Sequence, residues 1–231
     1  MSRRLFLPAL VAAVFTAPMA AADPPSTGGT VAPASPTTQG VITAEGAQVT
    51  LAARAGSMHG RFTRFRGTAP AGREIAVERL DAATGTWTVL ARATAAADGT
   101  YAAGWRTSGL GAHRVRTVLE RDAGASAAAT APELAITVHR PAVATWYGPG
   151  FYGRRTACGQ RMSPALQGVA HKTLPCGTKV SLLYRGRRLT VPVIDRGPYA
   201  AGKEWDLTVA TATALRFTQT DRVGAVPVQS K

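Results

Sequence analysis

Apolar and polar side chains alternate with period two along residues 48–52, 61–66, 74–80, 86–91, 101–105, 114–120 and 134–139. In Ile75-Ala76-Val77-Glu78-Arg79-Leu80 this alternation sends one side chain to a core and the next to water, the signature of a half-buried strand. Turn-forming stretches punctuate the runs: Ala69-Pro70-Ala71-Gly72, Ala83-Thr84-Gly85, Ala97-Asp98-Gly99 and Ser108-Gly109-Leu110-Gly111. Short strands at this spacing, with no helical periodicity among them, predict an antiparallel β-sandwich over residues 46–140. Arg140-Pro141 is expected to end it and leave a short linker. Beyond, residues 143–147, 179–184, 189–194 and 223–228 read as further strands. Residues 206–215 read as one short helix, with Leu207, Ala210 and Ala214 on one face and Thr208 able to cap its start. Strands joined by irregular Gly and Pro loops, with one helix before the last strand, predict a small closed barrel over residues 142–229. The expected fold class is all-β.

The front of the chain breaks this pattern. Residues 1–22 carry two arginines, then a mostly apolar run, then Ala20-Ala21-Ala22, the layout of an export signal with cleavage expected after Ala22. The run is short for a membrane span, which wants about 20 apolar residues. Ser2-Arg3-Arg4-Leu5-Phe6-Leu7 also resembles the twin-arginine export motif, so both export routes stay open. Residues 23–45 are dominated by Pro, Thr, Ser, Gly and Ala, too poor in large apolar side chains to offset ordering entropy, and read as a disordered linker. The expected location is outside the cytoplasm, secreted or in the cell envelope.

Charge and cysteines narrow the chemistry. The 231 residues hold 27 Lys plus Arg against 13 Asp plus Glu, a formal net charge of +14 that favours polyanionic partners. Export and the lack of a nucleic-acid motif argue against nucleic acid, and leave anionic wall polymers. In an oxidising compartment the two cysteines, Cys158 and Cys176, read as one disulfide. A thiol paired with His171 is the alternative. Two cysteines and one histidine are too few for a closed zinc site unless Asp195 joins them, so no metal and no cofactor are expected. In the sandwich, Trp87 and Trp105 offer either a sugar-stacking platform or core, and Arg61, Arg64 and Arg66 a solvated or weakly anion-binding strand face.

Two resemblances add to this. Thr86-Trp87, Asp98-Gly99-Thr100-Tyr101 and Ala112-His113-Arg114-Val115-Arg116 resemble the bacterial immunoglobulin-like modules of exported proteins. Ala144-Thr145-Trp146-Tyr147-Gly148, Gly153-Arg154-Arg155-Thr156-Ala157, Ala170-His171-Lys172-Thr173-Leu174-Pro175, Gly177-Thr178-Lys179-Val180, Asp195-Arg196-Gly197-Pro198 and Asp206-Leu207 follow one another in order. Together they resemble the rare lipoprotein A family over residues 143–228. That resemblance implies a six-stranded double-psi β-barrel related to expansins and barwin-type proteins, acting on the glycan strands of peptidoglycan, in some members as a lytic transglycosylase. It implies Asp195 and His171 as catalytic residues, with Asp195 as acid/base. Gln160 stands where catalytic members carry a glutamate, and a glutamine has no proton to give. A non-catalytic, expansin-like glycan-binding or wall-loosening module is therefore the alternative. Gln160, Trp146, Tyr147, Lys172, Arg196 and Tyr199 are the expected substrate-binding residues, and Asp206 is expected at the helix start, where it favours the helix dipole. A monomer is expected, free of the membrane once the signal is cleaved.

Overall fold

A computed structural model describes residues 37–38, 40–120 and 130–228. The expected signal at residues 1–22 and residues 23–36 of the expected linker lie outside the described residues. β1 (Thr37–Thr38) precedes two sheets that pack face to face. One holds β2 (Val41–Glu45), β3 (Thr50–Arg54), β5 (Phe62–Thr68) and β8 (Thr100–Arg106), in that order. The other runs β10 (Glu133–Tyr147), β9 (Gly111–Leu119), β6 (Glu74–Leu80) and β7 (Trp87–Thr94), with β4 (Gly56–Met58) parallel to β10. Alternation builds the core between them: β5 buries Thr63 and Phe65 and exposes Phe62, Arg64 and Arg66, while β8 buries Tyr101, Ala103 and Trp105. Leu51, Phe65 and Trp105 from the first sheet meet Val77, Val115 and Ile136 from the second. Trp105 is thus core. Trp87 lies on the outer face of the second sheet, with the Arg116 guanidinium 4.1 Å from its ring centre.

The second half of β10 opens a barrel with β11 (Val169–Ala170), β12 (Lys179–Tyr184), β13 (Arg187–Asp195), β14 (Trp205–Thr208) and β15 (Asp221–Pro227). The order β14-β11-β13-β12-β15-β10 closes on itself because β10 also pairs with β14. Four of the six pairings are antiparallel; β10 with β14 and β11 with β13 run parallel. Ala144, Val169, Leu182, Val193, Leu207 and Val223 fill the interior.

Three boundaries differ from expectation. Residues 41–45, assigned to the linker, form β2 and pair along their full length with β3, because Val41, Ile42 and Thr43 favour a strand even at a sheet edge. The sandwich pairings of β10 do stop just before Arg140-Pro141, but no linker follows: the same strand runs on for 15 residues in all, from one half into the other. Pro141 is tolerated because it falls between the last pairing with β4 at His139 and the first with β14 at Ala144, where only β15 flanks the strand. The helix is shorter than expected. Trp205 and Leu207 both enter the barrel core, a period-two pattern, so residues 205–208 are strand and α1 is Val209–Leu215. Thr208 does cap it, its hydroxyl accepting from the Thr211 N–H.

Sandwich and barrel meet at His139, which is fully buried on β10. Its Nδ1 lies 3.3 Å from the Ser57 carbonyl on β4 and its Nε2 3.0 Å from the Ser181 hydroxyl on β12. Burial holds its pKa down at about 4, so the ring is neutral at pH 7. Gly224 on β15 packs against the same place: an added Cβ would come within 2.7 Å of both the His139 Cβ and the Met58 sulfur.

Candidate functional site

The ends of four barrel strands bring the site together. β11 lies between β13 and β14, so that Ala170 is the register partner of Asp195 on one side and of Asp206 on the other. β10 flanks β14 in turn, pairing Thr145 with Asp206 and Tyr147 with Thr208. Side chains at partnered positions share a face of a sheet, which places the two aspartates on either side of a small alanine.

Asp195 is held entirely as an acceptor. Its Oδ1 receives the Ala157 N–H at 2.8 Å and the Arg196 N–H at 2.9 Å, and its Oδ2 the Tyr147 hydroxyl at 3.1 Å. Burial and the adjacent Asp195 carboxylate push the Tyr147 phenol well above its ordinary value, so it stays a donor. Asp206 differs. Burial raises its pKa, and the nearby Asp195 charge raises it further, against a hydrogen bond from the Thr145 hydroxyl at 2.8 Å that favours the ionised form. Among the described residues, then, two carboxyl groups with contrasting surroundings sense one another across Tyr147.

His171 follows β11 and packs against Trp205, ring centres 4.4 Å apart and planes tilted by 42°. The N–H groups of Thr173 and Leu174 both point at its Nδ1, at 3.2 and 3.1 Å, so the ring proton sits on Nε2. Desolvation, aided by the charges of Arg140, Arg196 and Lys172, lowers its pKa. Its ring therefore presents Nε2–H as a donor.

The remaining expected residues divide. Cys158 and Cys176 form the disulfide, Cα atoms 5.6 Å apart, and tie the Gln160 turn to the His171 loop. Gln160 is exposed, and its Oε1 accepts the Thr156 hydroxyl at 2.9 Å, leaving the amide N–H groups as its outward chemistry. Arg196 is turned into the scaffold: its guanidinium donates to the Leu174 carbonyl at 2.9 Å and reaches the Cys176 sulfur at 3.4 Å. Trp146 and Tyr199 are 44% and 80% exposed, and Lys172 is exposed. Glu204 is spent on a two-pronged ion pair with Arg140. Asp206 is the residue that the helix reading misplaced. The alternation of Trp205 with Leu207 was the signal for a strand, and a strand turns the intervening carboxyl out of the core.

A closed six-stranded barrel with two parallel pairs is a double-psi β-barrel, and here two neighbouring carboxylates stand at its strand ends. Residues 140–230 match the family model described as Lytic transglycolase, and over this stretch the barrel is similar to proteins named RlpA. A probable endolytic peptidoglycan transglycosylase RlpA from Synechocystis sp. is 45% identical over 75 residues, 32% of this chain and 23% of that protein. The protein of the same name from Aquifex aeolicus is 42% identical over 90 residues, 38% of each. The chain thus spans well under half the length of these curated relatives. Among solved structures it is similar to the Streptomyces papain inhibitor at 25% identity and a TM-score of 0.30, over 36% of this chain and 90% of that one, a likeness too slight to carry argument.

Proposed function

We propose that this protein acts in the cell envelope on the glycan strands of peptidoglycan and cleaves them by a lytic transglycosylase route. The observation that carries this reading is the Asp195–Tyr147–Asp206 constellation: one carboxyl fully engaged as an acceptor, the other pushed toward its protonated form. Contrasting environments of this kind separate acid from charge stabiliser at one site. The Asp206 proton passes to the glycosidic oxygen, the bond from that oxygen to the anomeric carbon breaks, and the departing sugar keeps the electron pair. Asp195 faces the positive charge that develops on the ring. A hydroxyl of the same sugar then bonds to the anomeric carbon, and its proton returns to the Asp206 carboxylate. The product is an anhydro-sugar, and no second carboxylate is needed to activate water. The expected acid/base role of Asp195 therefore moves to Asp206, which also covers for the carboxyl that Gln160 lacks. His171 Nε2–H and the Gln160 amide are donors for sugar hydroxyls, while Trp146 and Tyr199 offer faces for rings.

The full chain incubated with purified peptidoglycan should release anhydro-sugar ends detectable by mass spectrometry, and Asp206→Asn and Asp195→Asn should each lower that release roughly 100-fold or more. Wild-type release no greater than that of both variants would sink the catalytic reading. Gln160 favours the second reading, a glycan-binding module without catalysis, which predicts retention on peptidoglycan with no new ends. Gln160→Glu separates the two further, since added activity marks a groove already competent for chemistry.

A further inference from the structure

The sandwich carries a groove of about 690 Å³ on the sheet formed by β2, β3, β5 and β8. β3 and β5 share one registered pair, Ala52 with Arg66, and the groove opens between these strands beyond it. Small residues, among them Ala52, Ala102 and Gly104, keep its floor low. Arg54, Arg64 and Arg66 line it, all exposed, and none pairs with a carboxylate among the described residues. On the opposite sheet most arginines are compensated: Arg92, Arg114 and Arg116 are each paired, with Glu120, Glu133 and Glu78, while Arg79 lies over the Trp105 ring. The four strands of the grooved sheet hold four arginines and one glutamate, so the positive field on this face is uncompensated. At the groove wall Phe62 is 72% exposed, with the Arg106 guanidinium 5.8 Å from its ring centre.

We propose that this groove is a second glycan-binding site, which holds the carboxylate-bearing peptidoglycan strand while the barrel works on it. The proposal rests on peptidoglycan being the barrel's substrate. A bare cationic face would suit any polyanion, but an exposed phenyl ring beside arginines suits a chain that alternates sugar faces with acidic groups. Sugars stack on Phe62, and the carboxylates of the peptide stems reach the guanidinium forks. Arg64 and Arg66 project from the same face of β5, two residues and so about 7 Å apart, which lets one extended strand meet both.

The test compares the full wild-type chain with an Arg54→Gln, Arg64→Gln, Arg66→Gln triple variant and with Phe62→Ala. Binding to insoluble peptidoglycan is measured by co-sedimentation over a salt series, and turnover on short soluble glycan fragments is measured alongside. The triple variant should bind roughly tenfold more weakly with a flatter salt dependence. Its turnover on fragments too short to span both sites should match wild type, and Phe62→Ala should weaken binding while leaving the salt slope unchanged. Peptidoglycan whose carboxylates have been amidated should bind wild type as weakly as untreated material binds the triple variant. The proposal is overturned by unchanged binding in the triple variant, by indifference to amidation, or by equal competition from duplex DNA, which would mark a general polyanion face. Loss of binding in the triple variant, with no turnover by any form, removes the catalytic reading and leaves the groove standing.

Discussion

On the proposed route Asp206 is the residue on which the chemistry turns, and its environment has a measurable consequence. As an acid it supports turnover below its pKa and loses it as the pH rises through that value. The alkaline limb of kcat/KM on peptidoglycan should therefore lie above the range of an ordinary aspartate. Thr145→Val removes a hydrogen bond that favours the ionised form, and should move the limb higher still while lowering the rate little. Tyr147→Phe takes one of three donors from Asp195, and should cost activity without shifting that limb in the same direction. Asp195 and His171 were legible in the sequence because each sits in an ordered motif. Asp206 was visible as a residue but not as an acid, since the role depends on how deeply β14 buries it and on Asp195, which lies in a different strand. Arg196 shows the converse: a cation beside the site in sequence is, in the fold, a clasp for the loop that bears His171 and Cys176.

At the level of elements, the disulfide and the helix cap are the parts that can be removed singly. Replacing both cysteines by serine frees a loop of 18 residues and should lower stability by about 3 kcal/mol on the chain-entropy account, read from urea midpoints. Thr208→Ala removes the hydroxyl that receives the Thr211 N–H, and should cost about 1 kcal/mol in the same assay. The longer barrel strands were legible from their apolar runs. β11 was not, because two residues cannot display a period, and β14 shows only the single alternation of Trp205 with Leu207, which the apolar positions that follow it blended into a helix; the identity of both comes from the neighbours that pair with them on both sides. Proline misled in its own way. It reads as a stop, yet a strand accepts it where one flank lacks a partner.

For the molecule as a whole, stability should depend on pH through His139. Its folded pKa of about 4 lies below the ordinary histidine value of 6.5, so stability is full above about pH 6.5 and is lost as the pH falls toward 4, by roughly 3 kcal/mol in all. Urea unfolding at pH 7.5 and 4.5 measures this, and His139→Asn should flatten the dependence. Gly224→Ala forces a methyl group against His139 and Met58, and should destabilise by about 1 to 3 kcal/mol. That His139 would join the two halves was not legible, since each half supplies one partner and neither Ser57 nor Ser181 is marked in the sequence.

The uninterrupted course of β10 bears on how the protein would respond to a pull. A glycan mesh under turgor drags on whatever grips it. With a hinge between the halves, a tug on the sandwich would swing it and leave the barrel slack. Here the tug enters β9 and β4, passes along one covalent strand, and leaves through ladders to β15 and β14 that are loaded lengthwise, many hydrogen bonds at a time. Thr145 and Tyr147 sit at the far end of that strand, so on the proposed reading tension in the wall would arrive beside Asp195 and Asp206.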